Sequence, residues 1–308
     1  MLLWPLSQAV SAATARRVAR PGWPAPIPVI CCGNAGAGGA GKTTLLLDLA
    51  QRILQRDVAV HLLTRGHGGS AAGPLRVDPL LHTAREVGDE ALLLAACAPT
   101  WMGGDRAATA RVALQAGAQV LLLDDGLQNP TLQKTASLLV IDGGAGFGNG
   151  HVLPAGPLRE PVHAAASRSL AAVLIGDDIT GAGTQLPASL RVLHARLQPA
   201  PELAGLGGRC VVAFAGIGRP AKFFDMLEEA GVTIAHRVAF PDHHFFSAAE
   251  RARILSLARA IGGPAVTTPK DFVRIPPNER SQFTPIGVSL AWSDEPALEA
   301  LLDRMLGQ

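Results

Sequence analysis

From Pro28 onward the chain alternates short apolar runs with longer stretches of helical periodicity. "IPVICC" (27–32) has no charged position and reads as a buried strand. "KTTLLLDLAQRILQR" (42–56) repeats its apolar residues at helical spacing, with Leu45, Leu46, Leu49, Ile53 and Leu54 expected on one face. "VAVHLLT" is a strand followed by the turn "RGHGG". "DEALLLAACA" and "RAATARVALQAG" are helices, the second ended by Gly117. "AQVLLLDDG", "ASLLVIDGG" and "AAVLIGD" are three more strands. Buried strands alternating with helices predict an α/β fold, a parallel sheet covered on both faces.

The texture changes over 180–208, where Pro, Gly and short extended pieces predict a connection between domains. "CVVAFAGIG" then starts a second strand–turn–helix series. A helix is expected over 222–230, a strand at "TIAHRVAF", a helix over 247–261, a strand at "AVTT" and a last helix at "EPALEALLDRMLG". The expected organisation is an N-terminal segment 1–22, a first domain 23–188 and a smaller α/β domain 189–308 that includes the linker.

Composition narrows the function classes. The 308 residues suffice for two modest domains, and a formal net charge of +2 leaves no electrostatic footprint for nucleic acid. Cys31, Cys32, Cys97 and Cys210 form no CxxC pair and read as thiols of a reducing compartment. The N-terminal apolar stretch is too short and interrupted to span a bilayer, and its arginines (Arg16, Arg17, Arg20) follow it, the reverse of a signal peptide. It fits an interfacial helix inserting Leu2, Leu3, Trp4 and Leu6, or a helix packed on the protein's own surface.

The candidate chemistry starts at "GNAGAGGAGKTT" (33–44). The chain has 27 cationic side chains but only four lysines, and one of them is Lys42. Gly36, Ala37, Gly38, Gly39, Ala40, Gly41, Lys42 and Thr43 satisfy the P-loop pattern between a strand and a helix, with Thr44 next. Glycines let backbone N–H groups turn toward phosphate oxygens, and the helix N-terminus adds its positive end. A compact ammonium at Lys42 suits that nest better than a forked guanidinium. The Thr43 hydroxyl is a Mg²⁺ ligand candidate. "VLLLDDG" ends an apolar strand in Asp124, at the sheet edge where a carboxylate holds Mg²⁺, and Asp125 follows. Asp105, taken alone, reads as a helix N-cap. Asp242, His243 and His244 of "FPDHHFF" suit a histidine positioned by a carboxylate or plain surface histidines, and "GPLREP" offers Arg159 and Glu160.

In chain order, the P-loop, "TRGHGG", "GDE", "GGDRAAT", "LLLDDGLQN", "GFGNGHVLPAGPLREP", "AFAGIGRPAKFF", "FPDHHFF" and "TTPKD" resemble the tetraacyldisaccharide 4′-kinase family from about Pro28 to Arg274. The resemblance implies a P-loop NTPase-like α/β/α domain, and a smaller α/β/α domain joined to it by a short two-stranded linker. It implies transfer of the γ-phosphoryl of ATP to the 4′-hydroxyl of a tetraacylated disaccharide 1-phosphate, with Mg²⁺, giving lipid IVA. It places the enzyme at the cytoplasmic face of the inner membrane of a Gram-negative bacterium, docked by its N-terminal helix; a monomer is expected, though neither the residues nor the resemblance sets the oligomeric state. Carried over by motif, Lys42 and Thr43 serve the phosphates and Mg²⁺. Asp105 activates the sugar hydroxyl with His243. Asp124, Asp125 and Gln128 line the site, Arg159 approaches the transferring phosphate and Glu160 the metal. The chain departs from the family's usual strings at "GAGG", "RGHGG", Thr44 and "TPKD". The P-loop alone would also suit a kinase or synthetase of a soluble molecule, or a nucleotide-dependent switch or metal chaperone. The chain shows neither a Cys- or His-rich metal motif nor an "NKxD" string.

Overall fold

A computed structural model describes residues 3–36 and 41–307. In chain order the strands of the larger sheet are β1 (Val29–Gly33), β2 (Val60–Thr64), β3 (Leu75–Val77), β4 (Thr100–Met102), β5 (Val120–Asp124), β6 (Ala136–Asp142), β7 (Ala171–Ile175), β8 (Arg191–Pro199) and β13 (Val288–Trp292). Those of the smaller sheet are β9 (Cys210–Ala215), β10 (Thr233–Ala239), β11 (Ala265–Thr267) and β12 (Phe283–Pro285). The helices are α1 (Trp4–Val18), α2 (Lys42–Leu54), α3 (Ala84–Val87), α4 (Asp89–Ala95), α5 (Arg106–Gln115), α6 (Val162–Ser167), α7 (Pro220–Glu229), α8 (Ala248–Ile261), α9 (Pro269–Phe272) and α10 (Glu295–Leu306).

The nine-stranded sheet has the order β13-β8-β7-β6-β1-β5-β2-β4-β3. All neighbours are parallel except the two edges, β13 on β8 and β3 on β4. Its inner strands are buried on both faces, which is why they read as unbroken apolar runs. One face packs Leu45, Leu46, Leu49 and Ile53 of α2 with Leu298, Leu301 and Leu302 of α10. The other packs Ala110 and Ala113 of α5 with Ala165 and Ala166 of α6. Leu54, expected on the buried face of α2, is 38% exposed, because the helix ends there. The smaller sheet, β10-β9-β11-β12, is all parallel, with α7 on one face and α8 on the other. Each lobe is thus a three-layer α/β/α unit.

The expected division at residue 189 does not match the sheets. β8, inside the segment expected to be a connection, is a nine-residue strand of the larger sheet. β13 returns antiparallel to it, with Val288 opposite Pro199 and Trp292 opposite Ala195. The smaller lobe therefore lies between β8 and β13, and this strand pair is the two-stranded linker. Burial of Leu290, Trp292 and the α10 leucines against α2 holds the returning segment on the larger lobe. Arg52 of α2 and Arg56, just past the end of that helix, pair with Glu295, Glu299 and Asp303 of α10 across that contact.

α1 lies on the larger lobe by an inverted pattern. Ser7 and Thr14 are its buried residues, and Ser7 Oγ donates to Val152 O at 2.7 Å. Leu3, Trp4, Leu6 and Val10 face outward, at 47%, 55%, 56% and 37% exposure, and Arg16, Arg17 and Arg20 are exposed at the other end. Leu2 is outside the described residues. Among the described residues no helix is long and apolar enough to cross a membrane.

Candidate active site

The C-terminal edge of the larger sheet gathers the P-loop and its partners, the place where open α/β sheets bind ligands. β1 leads through Asn34 to Gly36 and, beyond the undescribed Ala37, Gly38, Gly39 and Ala40, to Gly41 at the start of α2. Gly41 is left-handed (φ 78°), and a Cβ there would sit 2.8 Å from Ile175 Cδ1, so only glycine fits. Lys42, Thr43 and Thr44 occupy the first turn of α2, where backbone N–H groups have no partner within the helix.

Next to β1, β5 delivers the acidic pair. Asp125 takes a left-handed backbone (φ 50°) while its N–H donates to Cys32 O at 3.0 Å. The turn aims its carboxylate at two cations, Lys42 Nζ at 4.0 Å and Arg159 Nη1 at 2.7 Å. Asp124 is buried and accepts from Thr64 Oγ1 of β2 at 3.3 Å. Burial, with Glu90 and Asp125 nearby and only partly offset by Lys42, pushes its carboxyl up to about 7.

Gln128 and Glu160 form a buried brace. Gln128 Nε2 donates to Asn34 O at 2.9 Å and to Glu160 Oε1 at 2.8 Å. Arg168 Nη2 spans both Glu160 oxygens, at 2.8 and 2.6 Å. The Glu160 carboxylate is thus paired with Arg168 and tied through Gln128 to the segment that leads into the P-loop.

The two remaining candidates, Asp105 and His243, are not brought together as expected. Asp105 caps α5, its Oδ1 accepting from Ala107 N at 2.9 Å and Ala108 N at 3.2 Å. The carboxylate that meets His243 is Asp89, in the first turn of α4, with Nδ1 to Oδ2 at 3.1 Å. His243 comes from the smaller lobe on a left-handed backbone (φ 58°), its N–H donating to Gly216 O at 3.0 Å. Nδ1 also lies 3.2 Å from Arg274 Nη2, which only donates, so Asp89 and Arg274 favour opposite tautomers at this atom; with the ring proton on Nδ1, toward Asp89, the Nε2 lone pair, 3.9 Å from Asp242 Oδ1, is left to accept. Arg274 locks the partner. Its Nε donates to Asp89 Oδ2 at 3.1 Å, its Nη2 also reaches Asp89, and its Nη1 donates to Asp271 Oδ1 and Gly216 O, each at 2.8 Å. Burial alone would raise the Asp89 carboxyl, but hydrogen bonds and charge from Arg274 outweigh it and hold it below its ordinary value.

His244, the neighbour, stacks on Phe240 with ring centres 4.7 Å apart and points Nε2 at Glu250, 3.1 Å away. In "TPKD", Asp271 is fully buried and accepts from Thr268 Oγ1 at 2.7 Å and Gly216 N at 3.0 Å, while Lys270 crosses to Glu90 at 2.9 Å. Asp89, Glu90, Lys270 and Arg274 therefore join the lobes. Sequence reading passed over Asp89, since an acid in a helix's first turn is ordinary. Its Gly88, left-handed at φ 86° and packed against His67 O, was the available signal in "GDE".

The family model for tetraacyldisaccharide-1-P 4′-kinase matches residues 1–307. The chain belongs to this family. A tetraacyldisaccharide 4′-kinase of Gluconacetobacter diazotrophicus is 55% identical over 305 residues, 99% of this chain and 93% of the relative. The enzyme of the same name from Rhodospirillum centenum is 54% identical over 308 residues, 99% and 91% of the two chains. A crystal structure of LpxK from Aquifex aeolicus in complex with ATP superposes with a TM-score of 0.79 at 24% identity, covering 99% of this chain and all of that one, and shares the fold.

Proposed function

We propose that this protein is a lipid kinase, transferring the γ-phosphoryl of ATP to the 4′-hydroxyl of a tetraacyldisaccharide 1-phosphate. Family membership supplies reaction and acceptor. The observation that carries the mechanism is the Asp89–His243 pair, which joins the smaller lobe to the lobe that holds the Lys42–Asp125–Arg159 cluster.

Phosphoryl transfer asks a protein for positioning and charge neutralisation more than covalent chemistry. Lys42 meets the β and γ phosphates, and Arg159, now held on Asp125, is placed to neutralise charge on the transferring group. His243 Nε2 accepts the proton of the acceptor hydroxyl while Asp89 stabilises the resulting imidazolium. Asp105 acts by capping α5 rather than as the base. Gln128 and Glu160 hold the strand-to-loop segment in place.

Mg²⁺ fits the donors present. Among the described residues no three His, Cys, Asp or Glu side chains form a ready-made metal cage. Mg²⁺ does not need one, since it takes one or two carboxylates plus phosphate and water oxygens. Asp124, a carboxylate resisting ionisation in a pocket shared with Glu90 and Asp125, gains a counter-charge from the metal, and the Thr43 hydroxyl opens the facing helix. Asp124 and Thr43 would hold Mg²⁺, which would supply charge neutralisation for the phosphates.

The exposed apolar side chains of α1, Trp4, Leu6 and Val10, with arginines toward its end, support peripheral contact with an anionic membrane surface. The site would then work at the cytoplasmic face of an inner membrane, with a monomer sufficient for the chemistry.

The test is transfer of γ-labelled phosphate to a tetraacyldisaccharide 1-phosphate in detergent micelles with Mg²⁺. A labelled lipid that Lys42→Ala fails to make supports the reading. ATP turnover stimulated only by a soluble compound would overturn it.

A further inference from the structure

A cavity of about 270 Å³ opens between the lobes and is lined in part by Arg274, the residue that holds Asp89. The larger lobe contributes Thr83 and Arg85 around the start of α3. The smaller contributes Phe245, Pro276, Pro277 and Arg280. Four arginines line it, and their pairing is uneven. Arg251 is neutralised by Glu279 at 2.8 Å, and Arg274 by Asp89 and Asp271. Arg85 and Arg280 have no carboxylate partner among the described residues. Arg85 lies over the Phe245 ring at 4.2 Å. Arg280 spends its donors on carbonyls, Ile275 O at 2.9 Å, Val273 O at 2.8 Å and, across the lobes, Pro79 O at 3.5 Å. Burial without an opposing charge lowers the proton affinity of Arg280.

Two unneutralised guanidinium groups on facing walls of one cavity favour an anion, and guanidinium geometry favours phosphate. Phe245 and the two prolines suit an organic body behind the phosphate. Directly after Pro79, at the Arg280 contact, Leu80 and Leu81 stand 82% and 77% exposed, an apolar step beside the cationic cavity. Cation and exposed leucines together match a phosphate carried on a lipid.

We propose that this interlobe cavity is a phosphate-monoester site, formed by Arg85 and Arg280, that receives the 1-phosphate of the acceptor while its 4′-hydroxyl lies at His243. This rests on the lipid-kinase reading.

The test compares the acceptor with the same lipid lacking its 1-phosphate, using wild type, Arg85→Ala and Arg280→Lys. Arg85 is exposed, so its loss spares the fold, and Arg280→Lys keeps the charge while removing the fork. The expected result is a KM for the 1-phosphorylated acceptor about tenfold higher in both variants. Turnover of the dephosphorylated lipid and the KM for ATP should not move. Binding of inorganic phosphate, followed by ³¹P NMR, separates the sources. Phosphate bound by wild type and lost in both variants, with lipid discrimination unchanged, assigns the site to free phosphate and keeps the phosphate site. Unchanged discrimination together with unchanged phosphate binding overturns it. Transfer by wild type to neither lipid is failure of the kinase reading instead, and phosphate binding still decides the cavity.

Discussion

His243 Nδ1 lies 3.1 Å from Asp89 Oδ2, although 154 positions separate the two in the chain. The contact joins a histidine of the smaller lobe to a buried carboxylate of the larger, and Arg274 fixes that carboxylate from below. Asp89→Asn should lower kcat by about 10³-fold, with the KM for ATP changed by less than about twofold. His243→Ala should do the same. The double variant should be no worse than either single one, since both act on one proton transfer. Additive losses in steady-state kinetics would separate the residues into independent roles.

Asp105→Ala separates two readings of one residue. As a helix cap, its loss costs about 1 kcal/mol of stability and leaves turnover within a few-fold of wild type. Thermal unfolding and kcat measured on the same preparation decide. A collapse of kcat with an unchanged Tm would return Asp105 to the role of base.

Asp124 makes the pH dependence directional. Its carboxyl titrates at about 7 folded and near 3.8 unfolded. Between those values the folded chain binds more protons, so this group's contribution to stability falls as pH rises from about 4 to 7. Asp124→Asn should therefore raise the Tm of the metal-free protein at pH 8 by about 3 °C while abolishing Mg²⁺-dependent transfer. In wild type the Mg²⁺ concentration for half-maximal rate should increase as pH drops below about 7, because protons and metal compete for the same oxygens. A Mg²⁺ requirement flat from pH 6 to 8 would contradict this.

The exposed face of α1 predicts a separation of folding from localisation. Trp4→Ser, Leu6→Ser and Val10→Ser combined remove apolar groups that stand 55%, 56% and 37% exposed on α1. The Tm should stay within about 1 °C, while binding to anionic vesicles falls by about tenfold or more in co-sedimentation. Ser7→Ala is the reverse control. It should cost about 1 kcal/mol of stability through the lost bond to Val152 O and leave vesicle binding intact.

The parts of this molecule legible in the sequence are those whose physics is local. β1, β5, β6 and β7 are buried on both faces, so their apolar runs announce them. The glycines and Lys42 of the P-loop carry their geometry in consecutive residues. β13 was missed because "VSLAW" is short and half-exposed, and its pairing with β8 spans the whole smaller lobe. Asp89 was missed for a related reason: nothing near "GDE" records that His243 and Arg274 will meet it. Asp105 carries two readings. The isolated reading as an N-cap matches its bonds, and the motif resemblance had displaced it. Glu160 looked like a free acid in a Gly/Pro loop until Arg168, eight positions on, closed on both its oxygens.

The smaller lobe is threaded between β8 and β13, with α10 clamped on α2. Ribosomal synthesis therefore releases the nucleotide-binding half unfinished. Its sheet edge and one of the layers over α2 emerge only after all of the smaller lobe has been made. A stop codon anywhere after β12 would spare the four-stranded sheet and strip the P-loop helix of its cover, so damage at the tail of the message falls on the part of the enzyme encoded first.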